Sequence, residues 1–325
     1  MRTVLLTGAT GFVGTALYPA LLAAGLKVRS ATRQFAAATA RDPDRNWVYL
    51  DVELEETLAP ALQDVEVAYY LVHSMGAKGG GGDWEQREEA SARRFAEAAA
   101  RAGVKRIVYL GGVAPSGRVS RHLRSRLRTG EVLRQGTVPV VELRAGMIIG
   151  AGSESWQIVR DLSLRLPVMV LPAWLQHRSE PVAIADVVAA LVHAGSAPDV
   201  APGCYALPGP EALTGQEILV RVAALRGLKA RAVRVPFITP RLSSYWIGWV
   251  TRADLELARE LVEGLVSDLV AREEPFWAQL PGYRLTGFDQ AAQAALSEEA
   301  RGLPPMTAAL EWAIQHLAPW KRAGG

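Results

Sequence analysis

Along the first half of the chain, short apolar runs alternate with stretches whose apolar residues recur every three or four positions. Residues 3–7 are an apolar, β-branched run of the kind found in a strand buried on both faces. Val13, Leu17 and Leu21 then recur at helical spacing, and Gly25 stands where that helix must close. Residues 26–32, 47–50, 65–72, 106–110 and 138–145 repeat the strand pattern, with a long helix over 84–102 ended by Gly103 and an arginine-rich helix over 120–134. The brevity of the apolar runs and their Gly/Pro punctuation distinguish them from buried helix. Strands separated by single helices predict an α/β fold, a doubly wound parallel sheet of the Rossmann type.

Beyond Gly150 the alternation loosens, and prolines and tryptophans become frequent. Residues 155–166 read as a helix, 181–194 as a short strand entering a helix, and 231–235 as a strand. Thr214 and Glu217 have the spacing of a capping box, opening a helix that runs to about Leu225. Residues 254–265 and 307–317 carry helical periodicity. The pattern predicts a Rossmann domain over 1–150, to which 181–208 returns, and a smaller mixed α/β domain over 151–325 on the carboxyl ends of the sheet, facing a substrate or partner. No internal repeat is visible, and the glycines at 79–82 are the only low-complexity segment.

Composition narrows the picture. Half of the residues are hydrophobic, 21% are charged, and the formal net charge is +3, as in a soluble globular protein. No lysine-rich tail or basic block with interleaved aromatics is present, which argues against a nucleic-acid partner. The single cysteine, Cys204, allows no disulfide within the chain and no cysteine-based metal site, and suits a cytoplasmic protein. His73, His122, His177, His193 and His316 are scattered without the spacing of a zinc site. The chain opens directly on a strand, which predicts no signal peptide. Apolar stretches such as 184–195 fall short of the ~20 residues that span a bilayer, so no transmembrane segment is expected. The apolar segment 242–250 could pack on the first domain, on a partner chain or peripherally on a lipid surface. Nothing indicates an oligomeric state.

Candidate chemistry begins at Thr7-Gly8-Ala9-Thr10-Gly11-Phe12-Val13-Gly14, between the first strand and the first helix. Glycines there let the backbone turn tightly and approach a pyrophosphate, while the helix N-terminus presents N–H groups and its positive dipole end. The spacing is Gly-x-x-Gly-x-x-Gly; the alternative is a tight turn with no ligand, against which the strand-before, helix-after context argues. Where an NAD site often places an acidic residue, this chain has Ser30-Ala31-Thr32-Arg33, with Arg29 nearby. A guanidinium there would pair with a 2′-phosphate and favour NADP(H) over NAD(H); the alternative is a surface arginine.

With this loop, the sequence resembles the extended and atypical short-chain dehydrogenase/reductases, most of all the NmrA-like and epimerase-like NAD(P)H-binding proteins. Asp51-Val52 after the third strand and Leu71-Val72-His73-Ser74 at the end of the fourth add to the likeness, as do Tyr109-Leu110-Gly111-Gly112, Leu143-Arg144-Ala145-Gly146 and the segment from Glu180 to Val187. The resemblance implies that Asp51 and Val52 flank the adenine. It implies that Leu71, Val72, His73 and Ser74 lie along the ribose and nicotinamide, and that Arg144, Ala145 and the residues to Met147 border the nicotinamide. Active members carry a serine after the fifth strand and a Tyr-x-x-x-Lys on the next helix. Here the strand ends in Gly111-Gly112, no Tyr-x-x-x-Lys lies between Gly111 and Gly150, and His122 and Arg126 fall at the matching positions.

Positions four apart share a helical face, so the geometry of the missing pair is kept while its chemistry changes. A histidine exchanges protons near neutral pH, and an adjacent arginine lowers its pKa while being able to hold a ribose or phosphate. The plainer reading is a cofactor anchor or a polar helix face. Arg118, Arg121, Arg124, Arg128 and Arg134 crowd the same segment, offset mainly by Glu131; they read as a solvated face or an electropositive wall. The glycines at 79–82 suit a lid or a plain loop, and Trp156, Trp174, Tyr245, Trp246 and Trp249 suit a substrate pocket, core or a subunit contact. Two functions follow. One is an NADP(H)-dependent oxidoreductase or isomerase of a small organic substrate, with Ser74, His73 or His122 as proton relay. The other is a non-catalytic NADP(H)-sensing regulator or structural nucleotide-binding subunit with a protein partner, as NmrA-like regulators and an accessory subunit of respiratory complex I exemplify. A sugar-nucleotide epimerase is disfavoured by the absent Tyr-x-x-x-Lys.

Overall fold

The computed structural model describes residues 2–73, 84–117, 119–165, 169–228, 232–234 and 267–302. Six strands, β1 (Thr3–Leu6), β2 (Lys27–Thr32), β3 (Trp47–Tyr49), β4 (Val67–Tyr70), β5 (Arg106–Gly112) and β6 (Val140–Ala145), join an edge strand, Gly203–Leu207, in one 7-stranded sheet. Every pairing in it is parallel. From one edge the order is β3, β2, β1, β4, β5, β6 and Gly203–Leu207. The direction of winding reverses between β1 and β4, which opens a crevice at their carboxyl ends.

Why these runs are apolar throughout follows from the layers. In β1, Val4 and Leu6 face one core with Leu17 and Leu21 of α1 (Phe12–Ala23) and Val187, Leu191 and Ala194 of α7 (Ile184–Ser196). Leu5 between them faces the other core, with Leu58 and Leu62 of α3 (Leu58–Leu62), Phe95 and Ala99 of α4 (Trp84–Arg101) and Leu133 of α5 (Arg121–Gln135). Alternate side chains point to opposite faces, so a strand covered on both sides is apolar at every position. The sequence-based limits of the strands hold to within a residue or two. Two helices between strands, α2 (Phe35–Arg41) and α3, have no clear periodicity in sequence because they span 7 and 5 residues, two turns or fewer.

A third core lies beyond the sheet. Trp156 and Leu164 of α6 (Glu154–Arg165) pack with Ile218 and Val222 of α8 (Gly215–Ala224) and Phe288, Ala292 and Leu296 of the helix Phe288–Gly302. Trp156 is fully buried and belongs to this core. The capping box is formed in full: Thr214 Oγ1 accepts from Glu217 N at 3.2 Å and Glu217 Oε2 accepts from Thr214 N at 2.8 Å. The expected strand near 231–235 is Ala232–Arg234, parallel to Met169–Leu171.

The segment from 267 to 286 straps this core to the sheet. Ala206 N donates to Glu274 O at 2.9 Å, and Glu180 Oε2 accepts from Ala271 N at 2.8 Å. Asp186, fully buried in the first turn of α7, accepts from Tyr283 Oη and Thr286 Oγ1, both at 2.9 Å, and from Thr286 N at 3.0 Å. Each hydrogen bond to a charged acceptor contributes roughly 1.5–3 kcal/mol, and the carboxylate also meets the positive end of the helix dipole.

The expected helices over 254–265 and 307–317, together with Ser74, the glycines at 79–82, Arg118, Tyr245, Trp246 and Trp249, lie outside the described residues, as does the side chain of Trp174. No described helix is long and apolar enough to cross a membrane.

Candidate active site

The loop after β1 brings backbone to places where a side chain has no room. Gly8 adopts φ +61°, and a Cβ there would sit 2.5 Å from Leu71 O, while one on Gly14 would sit 2.2 Å from Gly8 O. Gly8 O accepts from Gly11 N at 3.0 Å, which closes the turn. Gly11 is the N-cap of α1, with no side-chain cap and no acidic residue in the first turn, so the helix opening is left to an anion. Thr7, buried, stitches β1 to β4: its Oγ1 donates to Tyr69 O and accepts from Leu71 N, both at 2.9 Å.

Around that loop a cavity collects Gly8, Thr10, Gly11, Arg33, Asp51, Val52, Leu71, Val72 and His73, all of them sequence-derived candidates, with Thr7, Thr32 and Glu53 among the others. The remaining candidates lie elsewhere. Ala9 and Gly14 are buried behind the loop, and Val13 packs into the α1 core. The Phe12 ring packs on Gly150, where a Cβ would meet it at 2.8 Å. Arg144 and Ala145 do not line this cavity: Arg144 binds the carboxylates of Glu142 and Glu273, and Ala145 is buried. Arg29 is spent on the carbonyls of Ala61 and Gln63, at 2.9 and 2.6 Å, away from Arg33.

One residue that the sequence did not single out supports the loop from behind. Arg45, 9% exposed, lies over the rings of Tyr18 and Trp47, 3.7 and 4.3 Å from their centroids. Its Nε donates to Ser30 Oγ at 2.7 Å and an Nη to Ala9 O at 3.2 Å. Burial lowers its pKa from the ordinary arginine value, with Tyr18 and Asp42 opposing. An isolated arginine in a polar loop gives no signal of this kind; only the fold brings Tyr18, Ser30 and Trp47 to it.

At the far end of the cavity the two histidines meet. The rings of His73, after β4, and His122, in the first turn of α5, lie 6.5 Å apart at 76°, and Trp84 stacks on His122 at 6.5 Å. Tyr109 of β5 abuts His73 at 6.3 Å and donates to Arg126 O at 2.8 Å. Arg126 reaches back along β5, donating to Leu110 O at 3.1 Å and Gly111 O at 3.2 Å. Burial, then Arg126, holds the pKa of His122 down to about 4; burial, then Arg126 and His122, holds that of His73 well below the ordinary range. Both rings are neutral at pH 7, so proton exchange near neutrality, expected of a solvated histidine, is displaced to acid pH.

The strand end without a serine is also explained. A Cβ on Gly112 would lie 2.5 Å from Leu123 Cδ1 and 3.7 Å from Arg126 Nε, and one on Gly111 would lie 3.0 Å from Glu142 Oε1. Side chains of α5 and β6 occupy the space that a side chain there would take. The arginine-rich helix is more fully compensated than Glu131 alone suggests. Arg121 and Arg124 pair with Glu85, Arg128 with Glu89 and Glu131, and Arg134 with Glu142. Inside, Ser125 donates to the buried Glu88. Among the described residues no group of His, Cys, Asp and Glu gathers to hold a metal ion.

Residues 4–138 match the NAD dependent epimerase/dehydratase family. Over that span, less than half of the chain, the sequence is similar to this family. The resemblance drawn from the glycine loop is thereby borne out. No curated protein matches the chain. Solved structures share the fold at low identity. The Citrobacter sp. triphenylmethane reductase complexed with NADP(H) is 17% identical, with 90% of this chain and 100% of that chain covered and a TM-score of 0.70. The NADPH-dependent quinone oxidoreductase from Escherichia coli, complexed with NADPH, is 19% identical, with 90% and 98% covered and a TM-score of 0.70. A short-chain dehydrogenase/reductase superfamily protein from Agrobacterium tumefaciens with bound NAD is 19% identical, with 81% and 97% covered and a TM-score of 0.57. The chain therefore shares the fold of these NAD- and NADP(H)-complexed proteins.

Proposed function

We propose that the protein is an NADP(H)-dependent oxidoreductase acting on a small organic substrate. The observation that carries this reading is the continuity of one cavity from the glycine loop and Arg33 to His73, with His122 and Arg126 beyond it. In this reading the amides of the glycine loop and α1 hold the pyrophosphate, Arg33 pairs with the 2′-phosphate, and Asp51 and Val52 border the adenine. Leu71, Val72 and His73 line the nicotinamide side, and residues 151–325 face the substrate. Arg144, spent on two carboxylates, takes no part. When bound, NADPH supplies a hydride. The chain supplies shape, the neutral rings of His73 and His122, and the positive charge of Arg126. Glu53 shares the cavity rim with Arg33, so the preference for NADP(H) rests on which of the two a 2′-substituent meets.

The second reading, a nucleotide-sensing or structural subunit, is favoured by Gly111-Gly112 in place of serine and by His122 and Arg126 in place of tyrosine and lysine. Titration calorimetry with NADPH and NADH, followed by NADPH oxidation against a panel of carbonyl acceptors, separates the two. NADPH is expected to bind at least tenfold more tightly than NADH and to be oxidised by some acceptors. Tight binding without turnover of any acceptor supports the subunit reading, and tighter binding of NADH refutes the role given to Arg33.

A further inference from the structure

The arginines of α5 fall into two kinds. Arg121, Arg124, Arg128 and Arg134 each lie within ion-pair distance of a glutamate. Arg126 alone on this helix has no carboxylate partner among the described residues. Its bonds go to two backbone carbonyls, and its Nε is buried with no hydrogen-bond partner among the described residues. A charge held partly buried with no counter-charge favours an anion beside it. The place is specific: the end of β5, where Leu123 and Arg126 pack on Gly112, with His73 and His122 close by.

We propose that Arg126 is a catalytic residue that holds the oxyanion formed when the substrate is reduced, and that the substrate is a conjugated carbonyl compound. This rests on the oxidoreductase reading above. When bound, NADPH would supply a hydride to the electrophilic carbon of the acceptor and be left as NADP⁺, and the conjugated π pair would move onto the carbonyl oxygen. The oxyanion rests against Arg126, and a proton from water completes the reduced product.

The class of acceptor follows from what the site can donate. A simple ketone becomes an alkoxide, a strong base that needs a proton in the same step. The nearby groups have no proton to give: Gly111 and Gly112 at the strand end carry no hydroxyl, and the Tyr109 hydroxyl is committed to Arg126 O at 2.8 Å. Burial adds to this, lowering the pKa of His73 and His122 and pushing that of Tyr109 up to about 12. An enolate or phenolate is a much weaker base and needs only a fixed positive charge, which a preorganised guanidinium supplies without reorganisation.

Two measurements on the full chain test this. The first is steady-state NADPH oxidation with 2-cyclohexenone, 1,4-benzoquinone and cyclohexanone, for the native protein and for Arg126→Gln and Arg126→Lys. The conjugated acceptors are expected to turn over and cyclohexanone not. Arg126→Gln should lower kcat by about a hundredfold with NADPH affinity unchanged, and Arg126→Lys should recover part of it. The second measurement needs no turnover and serves even where Arg126→Gln fails to fold. With NADP⁺ bound, the native protein should take up 4-nitrophenol as its coloured phenolate, lowering its apparent pKa by about one unit or more, and Arg126→Lys should keep most of that shift. Reduction of cyclohexanone as fast as cyclohexenone, a kcat for Arg126→Gln within threefold of native, or 4-nitrophenol left at its solution pKa overturns the proposal while leaving the oxidoreductase reading intact. NADPH bound but never oxidised overturns both.

Discussion

The cavity at the glycine loop and the side-chain cluster beyond His73 are made of different material. At the β1–β2 end the ligand-facing surface is backbone, shaped by Gly8, Gly11 and Gly14, and the sequence reports it directly because only glycine fits where a Cβ would lie 2.2 or 2.5 Å from a carbonyl oxygen. At the β5–α5 end, beyond the cavity, the polar groups are side chains, and their chemistry is set by surroundings that no spacing rule encodes. His122 and Arg126 keep the helical offset of a tyrosine and lysine, yet His122 is held to a pKa of about 4 and Arg126 is turned back on the strand. A backbone site is specified by what must be absent, a side-chain site by what happens to be near.

The sharpest way to break this contrast is to put a side chain into the backbone site. In Gly14→Ala the new methyl group meets Gly8 O at 2.2 Å and Ala9 Cα at 2.9 Å, neither of them able to swing aside. Affinity for NADPH and NADH is expected to fall together by at least a hundredfold, and stability by about 1–3 kcal/mol, read by calorimetry and chemical denaturation. A variant that binds as the native protein does would mean that the loop carries no ligand.

Next in size is the discrimination between nucleotides. Arg33→Ala removes one charge-assisted contact worth roughly 1.5–3 kcal/mol. It should weaken NADPH by about ten- to a hundredfold and leave NADH unchanged. Arg45→Met acts on the same end by a different route. Its guanidinium touches Ala9 O, not the cavity, so both nucleotides should weaken equally, by a few-fold, with a loss of about 1–2 kcal/mol of stability from the vacated bonds to Ser30 and Ala9. Unequal loss for the two nucleotides would place Arg45 in the 2′-phosphate site itself.

How much of this could be read from sequence divides along the same line. The sheet, its flanking long helices and the capping box were legible because burial on two faces, the 3.6 period and Thr214-x-x-Glu217 are local patterns. The short helices α2 and α3 were not, since neither is long enough to show a period. Arg29 and Arg33 look alike in sequence, and only the fold separates a cation spent on the carbonyls of Ala61 and Gln63 from one at a cavity rim. Arg45 gave no signal, because Tyr18, Ser30 and Trp47 reach it through three separate elements. The charge of α5 looked unbalanced because Glu85, Glu89 and Glu142, which compensate it, lie on α4 and β6.

The smallest expected effect concerns the pH dependence of stability at the side-chain end. His122 has a folded pKa of about 4 against an ordinary 6.5, through burial first and Arg126 second. Between these values the unfolded chain binds a proton that the folded chain does not. The native state therefore keeps its full relative stability above pH 6.5 and loses it as the pH falls towards 4, below which both states are protonated and the loss is complete. Because the ring is partly exposed, solvent screens part of this, and the loss is modest. His122→Gln should flatten the slope of denaturation free energy between pH 4 and 6.5 without altering stability at pH 8 by more than about 1 kcal/mol. His73, displaced in the same direction, adds to the slope above about pH 5.5, where carboxylates contribute little, and His73→Gln in the same background should lower it further there. If the native protein instead gains stability on acidification above pH 6.5 and shows no histidine-linked loss between pH 6.5 and 4, the rings are charged in the folded state, and the β5–α5 end is an acid after all.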